Sequence, residues 1–439
     1  MLYSLLSVAL LAAPTVDIPH RTFTLENGLV VILHEDHRVP LVAVNINYDV
    51  GSKDERPGRT GFAHLFEHLM FMGTVRVPQG KFDQWMEAEG AWNNAWTSED
   101  RTDYYAVGPK HTLPLLLWLE ADRLSALGGE IDQAKLDLQR DVVRNERRQT
   151  TENTPYGVAD LKLPALLYPA DHPYHHPVIG SHEDLQAAAV RDVQDFFAAW
   201  YVAGNASLVV AGDFEPAAAE AEIRRAFGWM PARKAPRTEP ARPRAPEPAA
   251  VTALTAIEDR VDQPRVILAW QSPAHFEPGD AALDLLASVL ADGKASRLQQ
   301  ALIYEKGLAQ DVVAGQWSGR LGSQFVVWAT ARPGVTVEAL QAALEAALDE
   351  ALTSMDDDAV ARARAKAETT LVTTLQSVAN RASQLNTYQS LLGRADFLAE
   401  DLARYAGLDA AALRAAAAGL LTRDRRATLH VVPAKGAVK

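Results

Sequence analysis

The sequence predicts an α+β fold in two halves, and three features carry that reading. Apolar stretches with the two-residue alternation of strands are interleaved with stretches of helical periodicity. A proline-rich, charged segment at residues 231–249 divides the chain. Both sides of it close alike: Val190–Tyr201 reads as a helix leading to the apolar strand Ala206–Ala211, and Ala410–Leu421 reads as a helix leading to Thr428–Val432. The match is one of pattern and suggests a repeat; the alternative is two α+β domains that happen to end alike.

Each element has a local reason. Arg21–Leu25 and Leu29–His34 flank Asn27-Gly28, a strong hairpin signal. Leu41–Val50 alternates cleanly, with Val42, Val44, Ile46, Tyr48 and Val50 on one face. Its other face carries Ala43, Asn45, Asn47 and Asp49, which predicts a half-buried strand with a wetter side. Helices are expected over Gly61–Met72, Lys81–Glu89, Pro109–Ala126 and Asp132–Gln149. In the second half, strands are expected at Val266–Gln271 and Ser323–Ala331, with helices at Ala281–Leu290 and Ala295–Glu305.

Composition narrows the chemistry. The 439 residues are 48% hydrophobic and 23% charged, ordinary for globular domains of sufficient size to bury their own cores. A net charge of −13 argues against nucleic-acid binding, which needs clustered Lys and Arg. With no cysteine, thiolate zinc sites, disulfides and cysteine nucleophiles are excluded, and any metal must be held by His, Asp or Glu. Leu2–Ala13 is an apolar run closed by Pro14; it resembles a secretory signal without a basic start, so residues 1–16 predict export, with a periplasmic address, the alternatives being a buried or anchoring segment and a cytoplasmic address.

The chemistry-bearing motif is His64-Leu65-Phe66-Glu67-His68. Residues four apart share a helical face, so both imidazoles point the same way and Glu67 stands beside them. This is the inverted form of the commoner zinc signature. A catalytic zinc wants three protein ligands and an open position for water, whose proton a nearby carboxylate can take. Chance alone gives the pattern somewhere in such a chain in roughly two cases in a hundred, and a solvated helix face with two histidines is the bland alternative. A third ligand should be a carboxylate on a separate helix, and Glu146 is a candidate.

Four ordered runs add context: GFAHLFEHLMFMGT, GAWNNAWTSEDRTDYY, RDVVRNERRQTTENTPYG and HPYHHPVIGSHEDL, followed later by ADGKASRLQQALIYEKGLA. Together they resemble the insulinase/pitrilysin family of inverted-motif zinc peptidases, in its short-chain bacterial branch related to mitochondrial processing peptidase. The resemblance implies two similar domains, residues 17–230 and 250–439, each an antiparallel sheet packed with helices, facing each other around a chamber. It implies one zinc per chain, held by His64, His68 and Glu146, with Glu67 as general base. Asn94, Ala95 and Trp96 would lie on an edge strand that pairs with an extended substrate. Gln139 stands where relatives often carry an acidic residue supporting the site from behind the ligands. Gln324 and Ala331 stand where active relatives often carry an Arg/Tyr pair that holds the peptide.

That last departure predicts a heterodimer with a similar subunit that lacks the zinc motif and carries the Arg/Tyr pair, or otherwise a homodimer. The leading reading is a zinc endopeptidase of unfolded or short peptides; the alternatives are a non-catalytic scaffold or assembly subunit and a peptide-binding protein on the same fold. His172, His175, His176 and His182 read as a structural loop, His430 as structural, and Arg144, Arg147 and Arg148 as the solvated side of the Glu146 helix. Packing explains Trp92 and Trp96 as well as substrate binding does.

Overall fold

The computed structural model describes residues 16–236 and 254–434. The expected leader at residues 1–16 and linker at 231–249 lie, apart from their edges, outside the described residues. Among them no helix is long and apolar enough to cross a membrane.

The first half runs β1 (Arg21–Thr24), β2 (Val30–Glu35), β3 (Leu41–Tyr48), α1 (Phe62–Leu69), α2 (Lys81–Ala88), β4 (Trp92–Thr97) and β5 (Thr102–Pro109). It continues with α3 (Leu113–Glu130), α4 (Gln133–Glu146), α5 (Gly157–Leu167), α6 (His182–Ala187), α7 (Val190–Trp200), β6 (Ala206–Gly212) and α8 (Pro216–Phe227). The second half follows with β7 (Leu254–Asp259), β8 (Arg265–Ser272), α9 (Asp280–Ala291), α10 (Arg297–Gln299), β9 (Ala309–Trp317) and β10 (Ser323–Ala331). It ends with α11 (Val337–Ser354), α12 (Asp357–Thr374), α13 (Val378–Leu392), α14 (Leu398–Tyr405), α15 (Ala410–Ala418) and β11 (Arg426–Pro433).

The hairpin forms where Asn27-Gly28 predicts it: β1 and β2 pair antiparallel, and Gly28 takes φ +93° beside the Gly204 backbone. The two sheets share one plan. The first has order β1-β2-β6-β3-β5-β4 and the second β7-β11-β8-β10-β9. In each, the last strand of the half enters parallel to an early one (β6 on β2, β11 on β7) and the remaining pairs are antiparallel. The repeat is therefore topological. One face of the first sheet packs on α1, α3, α7 and α8 through residues such as Val44, Ile46, Phe66, Leu116 and Phe197. The second sheet packs similarly on α9, α11 and α15.

The opposite faces are covered by helices taken from the other half. Leu385 and Tyr388 of α13, with Phe397 and Leu398, close over Ile32, Ala43, Val107 and Val209 of the first sheet. In return Ala159, Leu163 and Leu167 of α5, with Tyr168 and Tyr174, close over Ile267, Ala269, Leu429 and Val431 of the second. Each half thus completes the other's core with an exchanged helix. Polar links cross the same seam: Arg320 donates to Asp49 at 2.7 Å and its backbone N–H to Asp100 at 2.8 Å, while Arg381 donates to His34 at 2.9 Å.

The exchange corrects one expectation. The wetter side predicted for Leu41–Val50 is dry: Asn45 and Asn47 are 0% and 1% exposed. Their polar groups are met by Asp103, which accepts from Asn45 at 2.6 Å and from Asn47 at 3.3 Å, and Asn386 of α13 donates to the Asn45 side chain. Alternation reports which side is polar, whereas burial is decided by what a distant segment lays on it.

Candidate metal centre

Helix α1 is set by its entry. Gly61 has φ +86°, and a Cβ there would meet the Ile179 carbonyl oxygen at 2.8 Å, so only glycine fits. The helix lacks a cap from its own first residue; instead the buried Glu55 carboxylate accepts from the N–H groups of Gly61 and Ala63 at 2.9 and 2.7 Å. That carboxylate satisfies orphan donors and opposes the positive end of the helix dipole. Phe62, Leu65, Phe66 and Leu69 then anchor α1 to the core, which leaves His64 and His68 on the face toward α4.

Glu146 is the last residue of α4, and the chain continues as a wide turn over Arg147–Glu152. His64 Nε2 lies 3.7 Å from one Glu146 oxygen and His68 Nε2 3.1 Å from the other. One ligand atom from each of the three residues lies within 4.8 Å of the others, and among the described residues they form the single such group of three or more His, Cys, Asp or Glu. The rings of His64 and His68 meet edge to face at 4.8 Å. Burial and the neighbouring His68 hold the His64 pKa down at about 4, so its imidazole is neutral at neutral pH. The hydrogen bond from His68 holds the Glu146 carboxyl below the usual range, so it is ionised.

Two neutral-capable imidazole nitrogens and an ionised carboxylate converging on one point are a donor set that suits zinc. His64 Nδ1 is buried without a hydrogen-bond partner, so this ring lacks the outer acceptor that ligating histidines usually have. Nothing in the arrangement obstructs the fit.

Glu67 turns toward β4 instead of joining the ligands. It is 9% exposed; burial raises its pKa, and the hydroxyl of Thr97, donating to Oε2 at 2.5 Å, pulls the other way. Thr97 is the residue that sequence reasoning missed: it is the last residue of the strand holding Asn94, Ala95 and Trp96, and only tertiary structure brings it to Glu67. Strand β4 is an edge strand of the first sheet, unpaired on its outer side among the described residues, where an edge strand was expected for Asn94, Ala95 and Trp96.

Other residues fall elsewhere. Gln139 donates to the sulfur of Met72 at 2.8 Å and to none of His64, His68 or Glu146. Arg147 is not on a solvated face: it bonds Glu152 at 2.8 Å and the Gly180 carbonyl, with its side chain 14% exposed. Arg144 bonds Gln186, and Arg148 stays exposed beside Asn145. His172 stacks on Tyr168 and His175 bonds the Tyr168 carbonyl, both local contacts; His182 pairs with Glu152 at 3.0 Å, and His176 lies 3.7 Å from the buried Glu55. His430 is buried on β11 against Gln341. Ala331 is fully buried and Gln324 half-buried, both on β10.

Comparison with known proteins places the chain in a family. Residues 30–170, which hold His64, Glu67, His68 and Glu146, match the family described as insulinase (peptidase family M16), and residues 188–367 match its inactive domain. The chain is 32% identical to the zinc protease PqqE of Helicobacter pylori over 73% of its own length and 72% of that protein's. It is 24% identical to an Arabidopsis thaliana protein described as a probable mitochondrial-processing peptidase subunit beta, covering 90% of this chain and 75% of the other. The crystal structure of a protease from Helicobacter pylori superimposes with a TM-score of 0.87 at 26% identity, covering 95% of this chain and all of that one.

Proposed function

The chain belongs to the insulinase (M16) family of peptidases, and from that premise we propose that it is a zinc-dependent endopeptidase of unfolded or short peptides. One observation carries the reading: the imidazoles of His64 and His68 and the carboxylate of Glu146 converge within 4.8 Å while the Glu67 carboxylate is held beside them and outside the ligand set. His64, His68 and Glu146 would hold the metal. Bound zinc supplies Lewis acidity, which acidifies a water and polarises a peptide carbonyl.

The chain's own residues do the remainder. Glu67 has one oxygen tied to Thr97, which leaves Oε1 to take a proton from water and return it to the leaving amine. Its burial, by raising the pKa, makes it a stronger base than an exposed carboxylate. The free edge of β4 offers main-chain donors and acceptors to an extended peptide at Asn94, Ala95 and Trp96, orienting it without reading its side chains.

A second element of the reading concerns a partner. Gln324 and Ala331 stand where an Arg/Tyr clamp is expected, and the buried Gln324 Oε1 has no hydrogen-bond partner. This favours pairing with a similar subunit that supplies the clamp, with a homodimer as the alternative. The apolar Leu2–Ala13 run supports export to the periplasm.

The deciding experiment is turnover of a quenched fluorescent peptide mixture by the zinc-quantified chain beside Glu67→Gln. Hydrolysis lost in the variant, with zinc still near one per chain, supports the assignment. Equal rates in both would overturn it, and bound zinc without turnover in the unmodified chain would favour the two-subunit form.

A further inference from the structure

Strand β4 runs away from the His–Glu cluster with its side chains alternating. Thr97 touches Glu67, Ala95 packs into the core of the first half, and Asn93 donates to Asp83 of α2 at 2.8 Å. Residues 93, 95 and 97 thus face the helices that hold the metal centre. Trp92, Asn94 and Trp96 face the other way, onto the side of the sheet that α13 covers over β6 and β3 as far as β5.

The two indoles on that face differ in what lies on them. The Arg101 guanidinium sits over the Trp96 ring at 4.9 Å and donates to Thr387 of α13 at 2.8 Å, so Trp96 is bound into the seam between the halves. Trp92 stands beyond that cover and is 52% exposed. Its ring meets Tyr105 of β5 edge to face at 5.7 Å, which fixes it as a platform standing at the sheet's free edge.

Resting on the peptidase reading, we infer that Trp92, backed by Tyr105, is a distal subsite that takes a large apolar or aromatic side chain of an extended peptide paired to β4. Thr97 marks the reacting end of the strand through its contact with Glu67. Trp92 stands five residues back, at roughly 3.4 Å per residue about 17 Å away. Directly opposed residues of paired strands place their side chains on the same face. The peptide residue opposite Trp92 therefore lies about five positions from the bond at Glu67, on the Trp92 face. Extended pairing and this spacing together make β4 a ruler, which favours flexible chains carrying an aromatic at one fixed interval from the cut.

The test is a series of quenched decapeptides with a single Phe stepped from three to seven residues from the bond that mass spectrometry shows to be cut. The same peptides are titrated by calorimetry into the zinc-loaded Glu67→Gln chain. A preference of about tenfold at one position near five, read in KM and in Kd, is expected. Trp92→Ala should flatten it, and Trp92→Phe should keep it. A preference that is absent, or that survives Trp92→Ala, overturns the subsite. So does a Trp92→Ala chain whose sedimentation shows a lost subunit contact with its peptide preference intact. If the zinc-loaded chain cuts no peptide, it is not a peptidase by itself and the two-subunit form is favoured, while the calorimetric preference for Phe over Ser and its loss in Trp92→Ala still decide the subsite.

Discussion

Replacing Thr97 by Val removes one hydroxyl and almost no volume. That hydroxyl donates to Glu67 Oε2 at 2.5 Å, and Glu67 is 9% exposed, so solvent is poorly placed to supply a substitute donor. A hydrogen bond to a charged group contributes about 1.5–3 kcal/mol. Arg123, whose positive charge also favours ionised Glu67, remains in the variant, so the lower part of that range applies. A loss of about 1.5–2 kcal/mol corresponds to a fall in kcat of about 13- to 30-fold. KM should stay within about twofold, because the Thr97 side chain points toward α1 and the substrate edge of β4 is main chain. Steady-state kinetics on a fluorogenic peptide, with zinc content measured in parallel, reads both constants. Thr97→Ser keeps the donor and should recover most of the rate. A Val variant within about threefold of the parent would refute the reasoning, as would a Ser variant no faster than Val.

Two further outcomes follow from the same geometry. Glu146→Gln removes the only carboxylate among the three converging groups and should lower zinc affinity by more than about 100-fold in chelator competition, since even outer-shell changes cost 10- to 100-fold; unchanged affinity would remove Glu146 from the ligand set. Asp103 is buried, and burial pushes its pKa up to about 6, so above that pH the native state holds a charge that the unfolded chain holds at less cost. The associated penalty, up to about 3 kcal/mol, is present at neutral and alkaline pH and fades as pH falls through about 6 toward 4. The stability of Asp103→Asn relative to the parent should therefore be highest near pH 8 and decline toward pH 4.5 in urea unfolding, and a flat difference would contradict it.

What could be read from the sequence depends on how local its cause is. The Asn27-Gly28 hairpin is dictated by two adjacent residues, and it forms as predicted. The His64–His68 spacing is set by one turn of helix, so the facing imidazoles follow directly. Glu146 was one candidate until the family likeness singled it out, because nothing local ties the end of α4 to α1. Thr97 was invisible: an ordinary strand residue acquires its role through a side chain thirty positions earlier. Asn45 and Asn47 misled for the converse reason, since their partners, Asp103 and Asn386, come from another strand and from the far half of the chain. Arg147 misled because the helical repeat was carried past Glu146, whereas the backbone widens there and turns the side chain inward toward Gly180.

The helices that each half lends the other have a consequence for synthesis. The first sheet is complete in sequence once β6 ends at Gly212, yet the Leu385, Tyr388 and Phe397 that close its second face are encoded about 185 residues later. At about 5–20 residues per second, the ribosome needs roughly ten to forty seconds to deliver them. For that interval Ile32, Ala43, Val107 and Val209 have no lid from their own chain, and a sheet with one bare apolar face is a template for aggregation. The first half thus carries a bare apolar face until the second half has been made, so the two halves are separate in sequence and joined in their cores.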